Sequence, residues 1–503
     1  MDNVFKVLDL NPKHNALNYF YLSILLVVTF LAISIFNDIL QIHIYRHDSI
    51  YYMAHSHYSG KVSSEGRWLN YVLFPFTTAI PGNFWAIFIL CSFACFIFVS
   101  AYEWTSNTFY SLLLALLFLQ IPSFPDLITW PATVAPAFFV LLLSIYGATR
   151  LPVFIFYAVF GIMFFATMSN YYYLLPLLHL GMLSKGTTKE ITETFFLKLL
   201  PAWAIGFIAG YAFTHLVVYV GFGHFMKLAS WRKPHYIHSF SDLIHNIWLS
   251  FHALQQHIKN IFSTDLLMVA SIAGLVISFL RRKNGRILYP TILFIAITVI
   301  HYITVIPVGI VISPRTLVAT WVGVLTILFF VPSIEPWKVF LLIPVILLFT
   351  YNLYLRNHHN LQWYGTIMNT HYNMLIKISP KPPAMYEGVV LFADDGEVHA
   401  KNQSILKYYN LTPDGYIEGL SSFYRWAPIA KEAGFKSVNN CNYSNHSSFC
   451  QELENNFITS RFLIEETPGF FNIIGEYNNF LVLSFDNKEV IRKTREQIDC
   501  GGR

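Results

Sequence analysis

Ionisable residues are scarce in this chain, and the densest group of them occupies one stretch, FNDILQIHIYRHDSIYYMAHSHYSGKVSSEGRWLNYVLF, which holds Asp38, Arg46, His47, Asp48, Glu65 and Arg67. Carboxylates and guanidinium groups gathered in this way suit a transfer reaction on a phosphorylated substrate. A carboxylate can take the proton of an attacking hydroxyl, and an arginine's planar fork matches phosphate oxygens. Asp38 follows an apolar run almost directly, so a membrane surface would leave it partly desolvated and a stronger base. The plainer reading, an acid that ends a helix in water, stands beside it. Asp126, in PSFPDLITWPA, lies between prolines that would stiffen its position. It could serve as a base or an orienting partner, or be a solvated loop acid. Arg315, in VISPRTLV, heads an apolar run and suits either a phosphate clamp or a headgroup anchor. Residues 221–263 add His224, Lys227, Trp231, Arg232, Lys233 and His235. An aromatic ring beside cations fits a sugar face and a phosphate, and equally an interfacial amphipathic helix. Asp394 and Asp395 read as an ordinary turn after a strand. No phosphate-binding loop, HExxH pair or nucleophile elbow is present, and the residues call for no metal and no cofactor.

The elements that must position these groups are apolar. Hydrophobic residues make up 55% of the 503-residue chain and charged ones only 12%, about half the charged share of a soluble domain. A bilayer is the solvent that accommodates such a surface. The net charge of +5 comes with no basic block, which excludes nucleic acid as a partner and leaves orientation as the use of the charge. Lys6 and Lys13 precede an apolar run over 18–36 with no small-residue cleavage site, as in an uncleaved first span with a cytosolic N-terminus. Further runs lie at 83–103, 107–121, 131–149, 151–168, 171–183, 196–220, 264–281, 287–306, 314–333 and 337–355. Together they predict a polytopic α-helical membrane protein of about eleven transmembrane helices. In that topology Arg150, Lys185, Lys189, Arg281, Arg282, Lys283, Arg286 and Lys338 all fall on the cytosolic side. Loops 37–82 and 221–263 then lie outside. Within the first of these, 66–82 is apolar enough to enter the membrane, and Arg67 and Pro75 favour a short interfacial helix over a span.

From 356 to 503 the composition turns polar, which predicts a small extracytoplasmic α/β domain after a membrane domain over 1–355. GVVLFADDGE reads as a strand and a turn, KNQSILKYYN and IAKEAGF as short helices, and FLVLSFD as another strand. Cys441 and Cys450 could form a local disulfide in an oxidising compartment. The alternative is zinc bound with His446, at an unusual spacing. Cys91 and Cys95 read as small apolar residues of a membrane helix.

The layout resembles the integral membrane glycosyltransferases of the GT-C superfamily. Within it, the first loop looks like that of the serotype-converting O-antigen glucosyltransferases. The residues that carry the likeness are Asp38 after the first apolar run, Arg46 with Asp48, and Glu65-Gly66-Arg67-Trp68-Leu69 leading into the next apolar segment. The resemblance implies a bacterial inner-membrane enzyme with its C-terminal domain in the periplasm. It would take a glucosyl or other hexosyl residue from undecaprenyl phosphate and pass it to O-antigen on lipopolysaccharide. A donor-lipid synthase and a flippase would act upstream. Asp38 or Asp48 would be the base, and Arg67 or Arg315 would hold the departing phosphate. Where the family often writes two adjacent acids, Asn37 precedes Asp38 here, so either acid could be the base. An O-antigen polymerase is a rival, although such enzymes concentrate function in mid-chain loops. A lipid-linked-sugar transporter or flippase is another, although it would require charges deep in the helices and inverted repeats.

Overall fold

The computed structural model describes residues 37–44, 55–80, 82–184, 186–228, 233–261, 285–310, 312, 316–331, 336–379, 381–392, 395–412, 426–441, 448–452 and 473–484. The chain divides into two compact units. The first comprises Met1–Asn37 and His55–His358, and the second Asp38–Ala54 and His359–Arg503. The apolar runs expected at 18–36 and 264–281 lie outside the described residues.

The first unit is helical. Among the described residues, four helices are long and apolar enough to cross a membrane: Gly82–Thr105, Thr133–Arg150, Thr188–Phe222 and Ile287–Val305. Three further apolar helices are shorter, Thr108–Leu119, Val153–Phe165 and Val318–Phe329. This fits a helical membrane protein. Helix Leu200–Phe222 shows the pattern most plainly. Ala202, Trp203, Gly206, Gly210, Thr214 and Val218 are buried along one stripe, while Ile208, Leu216 and Val220 are exposed. An apolar stripe left outside a helical unit is where lipid belongs. Glycines set the closeness of the buried side. A Cβ at Gly206 would collide with the carbonyl of Tyr157, and one at Gly161 with the carbonyl of Gly206. Helices Val153–Phe165 and Leu200–Phe222 therefore meet backbone to backbone, as small residues four apart allow.

Two expected spans take another form. Residues 171–183 are not one α-helical span. Ser169–His179 is a 3-10 helix with every residue from Asn170 to His179 buried, followed by the short helix Gly181–Ser184. Irregular backbone of this kind is tolerated at membrane depth when protein surrounds it. Tyr173 shares a hydrogen bond of 2.8 Å with Thr304, and the Asn170 amide donates to the carbonyl of Thr316 at 3.5 Å. The run at 337–355 belongs to a 43-residue helix, Pro336–Ile378. The helix continues through the composition change at 356, so the expected domain boundary there is not a break in the backbone. Trp68–Ala79 is a helix of 12 residues, about 18 Å long at 1.5 Å per residue and shorter than a hydrocarbon core of about 30 Å.

The second unit holds a four-stranded sheet in the order β2-β1-β4-β3. The strands are β1 (Gly388–Phe392), β2 (Val438–Asn440), β3 (Ile473–Tyr477) and β4 (Phe480–Ser484). β1 runs parallel to both β2 and β4, and β3 is antiparallel to β4. The β3–β4 hairpin turns on Asn478 and Asn479, both in the left-handed region at φ 46° and 65°, which two-residue hairpins demand and asparagine tolerates. The turn expected after β1 is instead the start of helix Asp395–Tyr408. Asp394 lies outside the described residues. This unit is not the C-terminal segment alone, because residues 38–54 belong to it.

Candidate functional site

Helix His55–Glu65 ends at Gly66, whose φ of +72° is the left-handed conformation of a helix C-cap. A side chain at 66 would also strike the Thr214 methyl group and come within 3.1 Å of the Met226 sulfur. Glycine is thus required twice over. The next helix begins at Trp68, with its N–H donating to the Gly66 carbonyl at 2.8 Å. This tight reversal sets Glu65 and Arg67 side by side. Arg67 Nη2 lies 2.8 Å from Glu65 Oε2, and Lys61, one helical turn back, puts Nζ 2.6 Å from Glu65 Oε1. The side chains of Lys61, Glu65 and Arg67 are 22%, 7% and 16% exposed, so the carboxylate is enclosed while the cations reach the surface. Two cations on one carboxylate leave the triad with a charge of +1.

A third helix end adds to this cluster. Leu200–Phe222 is capped by Gly223 at φ 71°, which turns His224 so that its Nε2 lies 3.3 Å from Ser63 Oγ. The short helix beside Arg67 is itself pinned. Leu69 donates its N–H to the Ala166 carbonyl at 3.1 Å, the buried Asn70 amide donates to the Thr133 carbonyl at 3.0 Å, and the Trp68 ring packs on Phe213. The arrangement offers two partly covered cations on a fixed backbone, which suits a phosphate. Ser63, Asn70 and His224 are additions to the sequence-based set. Their signal lay in Gly66 and Gly223, the helix-ending glycines that bring distant residues together.

The other expected residues are dispersed. Asp126 is not on a solvated loop. It sits in the four-residue helix Phe124–Leu127, fully buried, where the ring of its neighbour Phe124 packs 4.7 Å from Phe93. Pro125 starts that helix rather than stiffening a loop, and Ile121, Leu127 and Ile128 carry the whole turn inside. Asp38 stands in the 3-10 turn Asn37–Leu40, which opens the second unit. Arg46, Asp48, Arg232 and Arg315 lie outside the described residues. Helix Phe240–Ile261 exposes Phe240, Ile244, Trp248 and Phe251 along one face, the amphipathic alternative weighed for this stretch.

In the second unit Cys441 and Cys450 are joined in a disulfide with Cα atoms 5.3 Å apart, so neither sulfur is left for zinc; His446 lies outside the described residues. Among the described residues no group of three or more His, Cys, Asp or Glu is placed to hold a metal ion. No protein-family model, no curated protein and no solved structure matches the chain.

Proposed function

We propose that this chain is a membrane glycosyltransferase that takes a hexosyl residue, glucose by the resemblance of its first loop, from a polyprenyl-phosphate carrier. It passes that residue to a polysaccharide hydroxyl at the outer face of a bacterial inner membrane. The observation that carries the proposal is the Lys61–Glu65–Arg67 triad: two cations held on one enclosed carboxylate at the head of a helix too short to span. Charge preorganised where a phosphate leaves is worth most in a water-poor setting.

In this reading Asp38 takes the proton of the acceptor hydroxyl. The oxygen bonds to the anomeric carbon with inversion, the bond from that carbon to the phosphate oxygen breaks, and the lipid phosphate departs. About eleven crossings, one of them made by the buried 3-10 helix Ser169–His179, a cytosolic N-terminus and an extracytoplasmic segment after 356 are part of the same proposal. The buried Cys441–Cys450 disulfide supports that side, since disulfides persist in oxidising compartments.

The test is expression in a strain of defined O-antigen that supplies the lipid-linked donor, followed by structural analysis of the polysaccharide. The expected result is one added hexose per repeat, lost in Asp38→Asn while the protein still inserts in the membrane. Undiminished glucosylation by Asp38→Asn would overturn the role of Asp38.

A further inference from the structure

We infer that Asn369 and Glu432 are positioning residues that clamp the segment carrying Asp38. The clamp lies wholly within the second unit, and its catalytic meaning rests on the reading of Asp38 as the base.

Three residues of helix Pro336–Ile378, spaced at 365, 369 and 372, share one helical face and meet the chain just after Asp38. The Asn369 side chain works from both ends. Its Nδ2 donates to the Gln41 carbonyl at 3.3 Å, and its Oδ1 accepts from the His43 N–H at 3.4 Å. One amide thereby brackets Ile42, much as a neighbouring strand would. Gly365 makes room for that residue, because a Cβ at 365 would collide with the Ile42 Cγ2 methyl. The His43 ring stacks on Tyr372 with centroids 4.1 Å apart, and its Nδ1 lies 3.0 Å from Glu432 Oε2. Ile39, Ile42 and Ile44 are buried. The backbone from 39 to 44 is thus held at 39, 42 and 44 by apolar burial, and at 41 and 43 by polar side chains from two helices. Such a hold is more than a chain passing across a surface requires. A base must stay within fractions of an ångström of its proton, and a 1 Å displacement costs on the order of 100-fold in rate.

The test uses the full-length protein in membranes, with a polyprenyl-phosphate-glucose donor. Asn369→Ala and Glu432→Gln should lower kcat by roughly 10- to 100-fold while the donor KM moves little, and Glu432→Asp should recover part of the loss. A tether supplies the second arm. A Cβ at 365 lies 3.3 Å from the Ile42 Cβ, a few tenths short of disulfide spacing. Ile42→Cys with Gly365→Cys should therefore cross-link on oxidation. In the Asn369→Ala background that bond should restore turnover, and reduction should remove it again. Failure of the pair to cross-link overturns the clamp, as does unchanged kcat in both Asn369→Ala and Glu432→Gln. Cross-linking in Ile42→Cys/Gly365→Cys, together with no sugar transfer by the wild-type chain, defeats the proposed function instead.

Discussion

The disulfide in the second unit gives a prediction whose size follows from its place in the chain. Cys441 stands directly after β2 and donates its backbone N–H to the Leu391 carbonyl of β1 at 3.0 Å. Cys450 lies nine residues on, and the pair packs with Val390, Phe392 and Val482 in a buried cluster flanked by Phe449, Tyr477 and Phe480. Closing a loop of this length removes about 2.6 kcal/mol of chain entropy from the open state. Replacing both residues by alanine should therefore lower the free energy of opening the sheet by about that amount, which is roughly a 70-fold rise in the open population. Hydrogen exchange of the amides in Val389–Leu391 and Leu481–Leu483 reads that population directly when exchange follows opening. In the wild-type protein extracted without reductant, both thiols should stay closed to maleimide until reduced. Exchange within threefold of wild type in Cys441→Ala/Cys450→Ala would refute the energetic argument. Free thiols at Cys441 and Cys450 in the untreated protein would remove the support for an oxidising compartment.

Other consequences test the helical unit and the triad. Gly206→Leu forces a side chain into the Tyr157 backbone and the Tyr172 hydroxyl, so the detergent-solubilised protein should melt several degrees lower, in line with an overpacking cost of about 1–3 kcal/mol; an unchanged melting curve would show that the two helices part freely. Gly66→Ala meets both a left-handed φ of +72° and Thr214, and glucosyl transfer by membranes containing it should fall at equal protein level. Arg67→Gln should raise the donor KM by at least about tenfold, the loss of one charge-assisted contact of about 1.5–3 kcal/mol, and a KM equal to wild type would take Arg67 out of phosphate binding. In the second unit the hydrogen bond from Lys381 to Glu476, 2.6 Å long, holds the ammonium above the usual lysine range. Its contribution is complete below the ordinary lysine value and fades as pH rises through the raised one, so Glu476→Gln should make Lys381 more reactive to acetic anhydride near pH 9.

Hydropathy exposed much of the helical unit because burial in lipid and burial in protein both select apolar residues. The runs at 83–103, 131–149, 196–220 and 287–306 became helices Gly82–Thr105, Pro131–Arg150, Leu200–Phe222 and Gly285–Val305. The same coincidence explains the errors. Residues 171–183 are as apolar as a span yet wrapped by protein, where Pro176 and the hydroxyls of Tyr172 and Tyr173, bonded to the Trp203 carbonyl and to Thr304, favour a 3-10 path. Asp126 looked solvated because prolines flank it, although its apolar neighbours take the whole turn inward. At 356 the composition changes within helix Pro336–Ile378, and the division into units falls close by, between His358 and His359.

The polar first loop was read as one functional block because its residues are adjacent in sequence. The fold divides it, with Asp38–Ala54 joining the second unit and His55–Arg67 the first. Sequence had no means of showing this, because the contacts that decide it link Gln41 and His43 to Asn369 across separations of 328 and 326 residues. The division also changes what the polar segment after 356 is for. Read alone, it is a small extracytoplasmic domain set apart from the first loop. With Gln41, Ile42 and His43 lying against Gly365, Asn369, Tyr372 and Glu432, it becomes the support of the proposed base. Damage to this face should then slow turnover while leaving donor affinity close to normal, whereas damage to the Lys61–Glu65–Arg67 triad should do the reverse.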